Sequence, residues 1–304
     1  MTTFLQLVLT GILVGGVYSF IGMGFVITYR STKVFNIAYG QFAYIGALIA
    51  WSFIGSPLEP RFPLPLAFLL TFLSVIAFGL LVERLLFRRV IGKPLFVSFI
   101  LSLGLLALLR GMIVLIWGLQ AKTLAPTIPQ IQGPEGIITS YNLGNIALPI
   151  NLVWSFVVAV LAALAFLVFF KKTKLGLAMR AIYDNQIAAR CLGVSARLNS
   201  QIAWVLCALI ATAGGFLMAT TIGVSILLSE LVLVILAVVL IGGIDSLLGC
   251  VIGGLLLSVG KNLLIYYLPD SWSGVEGVFS MLLIMLVLLI RPYGIMGTKP
   301  IERV

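Results

Sequence analysis

Catalysis or metal binding needs side chains that can ligate, attack or move protons, and here such side chains are scarce. The 304 residues include no histidine, nine Asp and Glu, and three cysteines, Cys191, Cys207 and Cys250, at wide spacings. Without histidine there is no H-E-x-x-H zinc helix; no G-x-S-x-G elbow occurs, and no pair of carboxylates shares an apolar helix face. The nearest approach to a phosphate loop is "GGLLLSVGKN", Gly253 to Asn262. Its spacing from Gly254 to Gly-Lys is one residue too long, Asn262 stands where Ser or Thr would hold a magnesium ion, and it lies in an apolar run. We therefore expect no catalytic residue, no metal site and no cofactor in this chain, and three cysteines that act as small packing residues.

The chemistry that remains is recognition, and it concentrates in two places. The stretch "KKTKLGLAMRAIYDNQIAARCLGVSARLNS", Lys171 to Ser200, holds six of the nineteen Lys and Arg residues. Leu175, Ala178, Met179 and Ile182 recur at helical spacing; Asp184 or Asn185 can cap a second helix through Ile187, Ala188, Cys191 and Leu192, which Gly193 can end. Two short amphipathic helices with a break at Asp-Asn must cover the end of a bundle, lie on a lipid surface or enter a groove on another protein. Arg180 and Asp184, at i and i+4, could pair with each other or with a partner. The second place is "NIAYGQ", where Asn36, Tyr39 and Gln41 open an apolar run and Gly40 allows close backbone approach. Polar groups there either line a pathway or hold helices together by hydrogen bonds.

These groups are carried by a membrane protein. The chain is 62% hydrophobic and 9% charged with a mean hydropathy of +1.22, far from a soluble domain. The net charge of +10 sits in clusters between apolar runs, which argues for membrane orientation and against nucleic acid. Runs of spanning length are Phe4–Tyr29, Asn36–Ile54, Leu64–Leu86, Leu95–Gly118, Ile150–Phe170, Gln201–Thr221, Leu231–Ile244, Gly249–Leu268 and Val275–Ile290. The first lacks a basic leader and is expected to be a retained span that its glycines could bend; the seventh is short and could begin near Ile226. Numbering nine spans alternately puts Arg30, Lys33, Arg84, Arg88, Arg89, Lys93, the Lys171–Ser200 segment and the tail on one side, with Arg61 and Lys122 on the other. The expectation is an all-α polytopic protein of about nine spans, a single domain over residues 1–304, with the N-terminus outside and the C-terminus cytoplasmic. Segment 171–200 is then cytoplasmic, and loop 119–149, with turn signals at "GPEG" and "NLGN", is outside. Arg110 and Lys261 lie near outer span ends where long stems can snorkel, and Glu230 and Glu276 are outer acidic groups. Gly11 with Gly15, and Gly249 with Gly253, mark close helix crossings.

The pattern "GLAMRAIYDNQIAARCLGV" resembles the coupling loop of permease subunits in the branched-chain amino acid family of bacterial ATP-driven (ABC) importers. Its matching positions are Gly176, Arg180, Ala181, Asp184, Asn185, Ala188, Ala189 and Gly193. "VFNIAYGQFAYIGALIA", "VVLIGGIDSLLGCVIGGLLL" and "LLIRPYGIMG" resemble three further family stretches in the same order. The resemblance implies that the cytoplasmic helices dock in an ATP-binding subunit, where ATP and magnesium are held. It also implies a second, homologous permease, two ATP-binding subunits, an extracytoplasmic binding protein and residence in the bacterial inner membrane. Asn36, Tyr39, Gly40 and Gln41 become candidate pathway residues. Hydrophobic amino acids are the implied substrate, though relatives carry urea, short amides and small carboxylates; many have His-Gly-Glu where this chain has Tyr39, Gly40 and Gln41.

Overall fold

The structure is a computed structural model that describes residues 2–57, 59, 61–90, 92–124, 131–133, 136–138, 140–143, 146–268 and 275–298. Among these, each expected apolar run carries a helix: α1 (Thr2–Thr32), α2 (Tyr39–Ile54), α3 (Leu64–Leu85), α4 (Leu95–Trp117), α5 (Ile150–Lys172), α8 (Ala196–Ile222), α9 (Leu227–Gly242), α10 (Leu247–Tyr267) and α11 (Val275–Ile290). Two short helices, α6 (Lys174–Asp184) and α7 (Gln186–Cys191), fill the polar segment between α5 and α8. Six of the helices are long and apolar enough to cross a membrane unaided, while α2, α9 and the Val278–Ile290 part of α11 are shorter apolar helices.

Three expectations change. The chain is not purely helical: β1 (Ile131–Gly133) pairs with β2 (Gly136–Ile138), and β3 (Ser140–Leu143) with β4 (Ile146–Pro149), as two antiparallel hairpins. The paired ends Gly133 and Gly136, and Leu143 and Ile146, flank the two sequences that carry turn signals, in a Pro- and Gly-rich loop with no helical period to compete. α2 begins at Tyr39, leaving Asn36 in a non-helical bend. Ser102 of α4 holds that bend, accepting from the Ile37 amide at 3.3 Å and donating to the Phe35 carbonyl at 3.1 Å, so buried backbone groups outside a helix are satisfied. Finally, α1 runs unbroken from Thr2 to Thr32 despite its glycines.

The chain forms two compact units. One comprises the described residues of Met23–Thr127 and Ala162–Val232. At its centre α2 is buried along most of its length and packs on α8 and α3. The contacts are closer than side chains allow: a Cβ added at Gly46 would strike Thr212, one at Gly215 would strike the Ala43 carbonyl, and one at Gly79 would lie 3.0 Å from the Trp204 carbonyl oxygen. Trp204, fully buried, stacks on Phe87 with ring centroids 4.1 Å apart. The outward faces of α3 and α4 expose rows of Leu, Phe and Ile, as lipid-facing helices do. Buried Glu83 is held by Arg88 at 2.9 Å, which satisfies a carboxylate that burial would otherwise penalise.

The other unit comprises the described residues of Met1–Gly22, Ile128–Leu161 and Leu233–Val304. Both Gly-x-x-x-Gly pairs do the packing expected of them. Gly11 and Gly15 meet the α10 backbone at Val259 and Gly254, and Gly249 and Gly253 meet the α9 carbonyls of Gly242 and Val238. Two of the sequence stretches singled out above join here. The Ile295 and Met296 amides donate to Ile241 and Gly242 at 2.8 and 2.9 Å, and Asp245 accepts from the Thr298 amide at 3.1 Å. The "GGIDS" turn and the "RPYGIMG" ending are one structural element.

Candidate functional site

The α6–α7 segment leaves α5 through a tight corner. Thr173 donates to the Phe169 carbonyl at 2.7 Å and accepts from the Gly176 amide at 3.1 Å, capping α6. Gly176 lies against the Phe170 carbonyl, and any Cβ would occupy that oxygen's place, so a glycine is required here for contact reasons. The cap and the glycine contact together join the start of α6 closely to the end of α5. Asn185 then breaks the segment where the sequence placed the break. Its side chain accepts from the Ile187 and Ala188 amides at 3.1 and 3.0 Å and starts α7. Gly193 ends α7 with φ +83, bonding Arg190, while the Val194 amide reaches Ala189 at 3.0 Å. A Cβ at Gly193 would meet nothing within 4 Å, so this glycine serves conformation and not contact.

The apolar stripe read between Leu175 and Leu192 does not form one face. Met179, Ile182 and Ala189 turn inward with Gly176 and are buried, whereas Leu177, Ile187 and Leu192 are 60%, 77% and 84% exposed. Leu175, Cys191 and Ala188 are exposed too. Each helix has a buried and an exposed side: Met179 and Ile182 against Leu175 and Leu177 on α6, and Ala189 against Ile187 and Leu192 on α7. Arg180 and Asp184 do not pair: Arg180 donates to the Lys171 carbonyl at 3.3 Å and stacks over Phe170, where the corner draws it. Ala181 is half-buried on the same helix. The inward side reaches α1, since the Arg30 guanidinium lies over Tyr183 of α6 at 5.3 Å and over Phe170 of α5 at 5.6 Å.

Removing the Asn185 cap should loosen α7 alone. Asn185→Ala should cost about 1 kcal/mol of local stability, so the Ile187 and Ala188 amides should exchange hydrogen roughly fivefold faster while α8 amides are unchanged. Unaltered exchange would mean that α7 is held by something other than its cap.

The "NIAYGQ" residues are fully inside. Asn36, Tyr39 and Gln41 are at most 3% exposed, and a Cβ at Gly40 would strike the Ser229 carbonyl where α2 meets α9. Among the described residues the Asn36 side-chain amide has no oxygen or nitrogen partner, its polar neighbour being the Cys207 thiol of α8. Gln41 Oε1 is likewise buried without a partner. One stripe of α8 continues the pattern at Ser200, Trp204 and Cys207, spaced i, i+4, i+7; Ser200 Oγ, Trp204 Nε1 and neighbouring Asn199 Nδ2 are also buried and unpartnered. The sequence reading began this span at Gln201 and so left Asn199 and Ser200 in the loop; the rule that intramembrane polar groups are informative would have found them had the helix start been placed at Ala196. Ser102 gave no signal, as a lone serine in an apolar run. Of the two acidic groups expected on the outer side, Glu230 is exposed, and the Glu276 side chain falls outside the described residues. Among the described residues no three His, Cys, Asp or Glu come together to hold a metal.

The chain is similar to known proteins along nearly its whole length. The model of the branched-chain amino acid transport system permease component matches residues 7–290. The high-affinity branched-chain amino acid transport system permease protein LivH of Salmonella typhimurium is 26% identical over 99% of this chain and 98% of its own length. BraD of Pseudomonas aeruginosa, named for the same type of permease, is 28% identical over the same shares. The probable branched-chain amino acid transport permease protein LivH of Methanocaldococcus jannaschii is 25% identical over 91% of this chain and 87% of its own. A solved structure of PsaBC from Streptococcus pneumoniae in complex with Fab covers 94% of this chain and 90% of its own, at 17% identity and a TM-score of 0.47. With a polytopic helical body, a capped and two-faced loop pair, and a family match along nearly its whole length, the chain belongs to the branched-chain amino acid transport system permease component family.

Proposed function

We propose that this multi-pass permease is one of two transmembrane subunits of an ATP-driven importer in a bacterial inner membrane, with nine spans, its N-terminus outside and its C-terminus in the cytoplasm. The observation that carries the reading is the exposed apolar surface that Leu177, Ile187 and Leu192 give to a segment packed at its start against the end of α5. Such a face suits a helix-in-groove contact with an ATP-binding subunit. Gly176, Arg180, Ala181, Asp184, Asn185, Ala188, Ala189 and Gly193 shape that contact: the glycines and Asn185 set the backbone, Arg180, Ala181 and Ala189 seat the segment against its own bundle, exposed Ala188 allows close approach, and the exposed carboxylate of Asp184 meets the partner. Two ATP-binding subunits hold ATP and magnesium, a second permease homologous to this one completes the pathway, and an extracytoplasmic protein delivers the solute. Closure of the nucleotide-bound dimer drives α6, and α5 and α1 follow through the Phe170 corner and the Arg30–Tyr183 contact.

Asn36, Tyr39, Gly40 and Gln41 line or gate the pathway, joined by Ser200 and Trp204. An unsatisfied buried polar group costs about 1–3 kcal/mol, which a path wetted by water or solute relieves. The substrate class is branched-chain and other hydrophobic amino acids, as the names of the relatives suggest. Competition decides it: uptake of labelled leucine by the assembled transporter should be suppressed by isoleucine and valine and unaffected by urea or acetamide. Suppression by urea or acetamide with indifference to valine would assign the protein to small amides.

A further inference from the structure

A cavity of about 210 Å³ opens where the end of α1, the α3–α4 connection and α6 meet, all within one compact unit. Its walls include Arg30, Lys33 and Lys93, with no acidic residue among the lining groups, and Ser31 and Gln186 add polar atoms. Part of the Arg30 and Lys33 charge answers the negative end of α1, but Lys93 precedes the first turn of the 23-residue α4, whose positive end also abuts the cavity. The site is therefore electropositive from side chains and backbone together. Two lining residues carry a buried atom with no hydrogen-bond partner among the described residues: Arg30 Nε and Ser31 Oγ, the latter on a residue only 6% exposed. Buried donors that the protein leaves unanswered, in a cavity with three cations, call for an anion with several acceptor oxygens.

We propose that this cavity binds a phosphate-bearing anion, the headgroup of an anionic phospholipid, at the joint between α6 and the spans. The cavity lies beside the ends of the apolar helices α1 and α4, and basic pockets between helices at span ends suit the headgroups of such lipids. A phosphate fits the volume with room for a glycerol, and Gln186, next to the Asn185 break, places the ligand against the hinge between α6 and α7. Occupancy would tie the coupling segment to α1. The proposal does not depend on the docking partner or on the transported solute.

The test uses the full chain purified in a neutral detergent. Its thermal midpoint is measured against short-chain phosphatidylglycerol, short-chain phosphatidylcholine and inorganic phosphate, with Lys93→Gln and Lys33→Gln, alone and combined, in parallel. Phosphatidylglycerol should raise the midpoint saturably, phosphatidylcholine should not, and the double variant should bind at least tenfold more weakly. Because both lysines lie outside the apolar core, native mass spectrometry of the bound lipid gives a second readout should the midpoint of the variants fall by itself. Saturable stabilisation by inorganic phosphate alone would overturn the lipid headgroup in favour of a free anion. Equal response to phosphatidylglycerol in wild type and double variant would overturn the site.

Discussion

Replacing Ile187 and Leu192 together by glutamate should leave a folded, membrane-inserted subunit that no longer transports. Both side chains are more than three-quarters exposed in the free chain, so their loss removes little folding energy, and surface changes of this kind usually fall within about 0.5 kcal/mol. In the assembled transporter they would be buried, and each large apolar side chain taken from water contributes about 1.5–3 kcal/mol. Losing two should weaken docking by roughly 100-fold to 10,000-fold, before the cost of placing two carboxylates in an apolar groove is counted. The expected result is an unchanged thermal midpoint, loss of ATP-driven uptake, and loss of the ATP-binding subunit on purification through the permease. Leu161→Glu supplies a contrasting control, because that residue is also exposed but lies in a span; it should impair insertion without resembling the docking defect. Full uptake by the Ile187/Leu192 double variant would remove α7 from the account.

The second large effect is on folding. Gly215→Val should destabilise the subunit by about 3 kcal/mol or more, the upper part of the range for overpacking, lowering its midpoint on the order of 5–10 °C. The reason is contact with backbone. A Cβ at Gly215 would overlap the Ala43 carbonyl and lie 3.0 Å from the Ala43 Cα, and a helix backbone cannot rotate aside as a side chain can. Gly46, whose Cβ would meet Thr212, should behave similarly because the two glycines sit in the same α2–α8 contact. Gly104 and Gly111 of α4 are the matched controls: nothing lies within 4 Å of a Cβ at either, so their valine variants should be near neutral. Equal losses at all four positions would show that the effect is general to glycine in these helices and not a consequence of close α2–α8 contact.

How far the sequence reached depends on which force sets each feature. Span positions follow from apolar area alone, and every expected run became a helix. The break at Asn185 and the stop at Gly193 were also legible, because caps act within a few residues. The orientation of α7 was not: periodicity gave one stripe from Leu175 to Leu192, and only the packed structure shows Met179 and Ile182 buried while Leu175, Ile187 and Leu192 are exposed. Nor could the sequence show why Gly176 and Gly193 differ, one constrained by the Phe170 carbonyl and the other by its own φ. Spacing lets Arg180 and Asp184 pair with each other or with a partner, and the first does not occur because groups outside α6, the Lys171 carbonyl and the Phe170 ring, outcompete an exposed i,i+4 ion pair of a few tenths of a kcal/mol. The bend at Asn36 was hidden for the same reason. Its anchor, Ser102, lies 66 residues away in sequence and resembles any serine in an apolar helix.

The central claim is that this permease is moved by ATP hydrolysed on a partner through α6 and α7, and the energy source for uptake tests it most directly. In proteoliposomes holding the chain with its second permease, ATP-binding subunits and binding protein, solute accumulation should require enclosed ATP and magnesium and persist when a protonophore collapses the proton gradient. Accumulation by this chain alone, indifferent to ATP and abolished by the protonophore, would contradict the account.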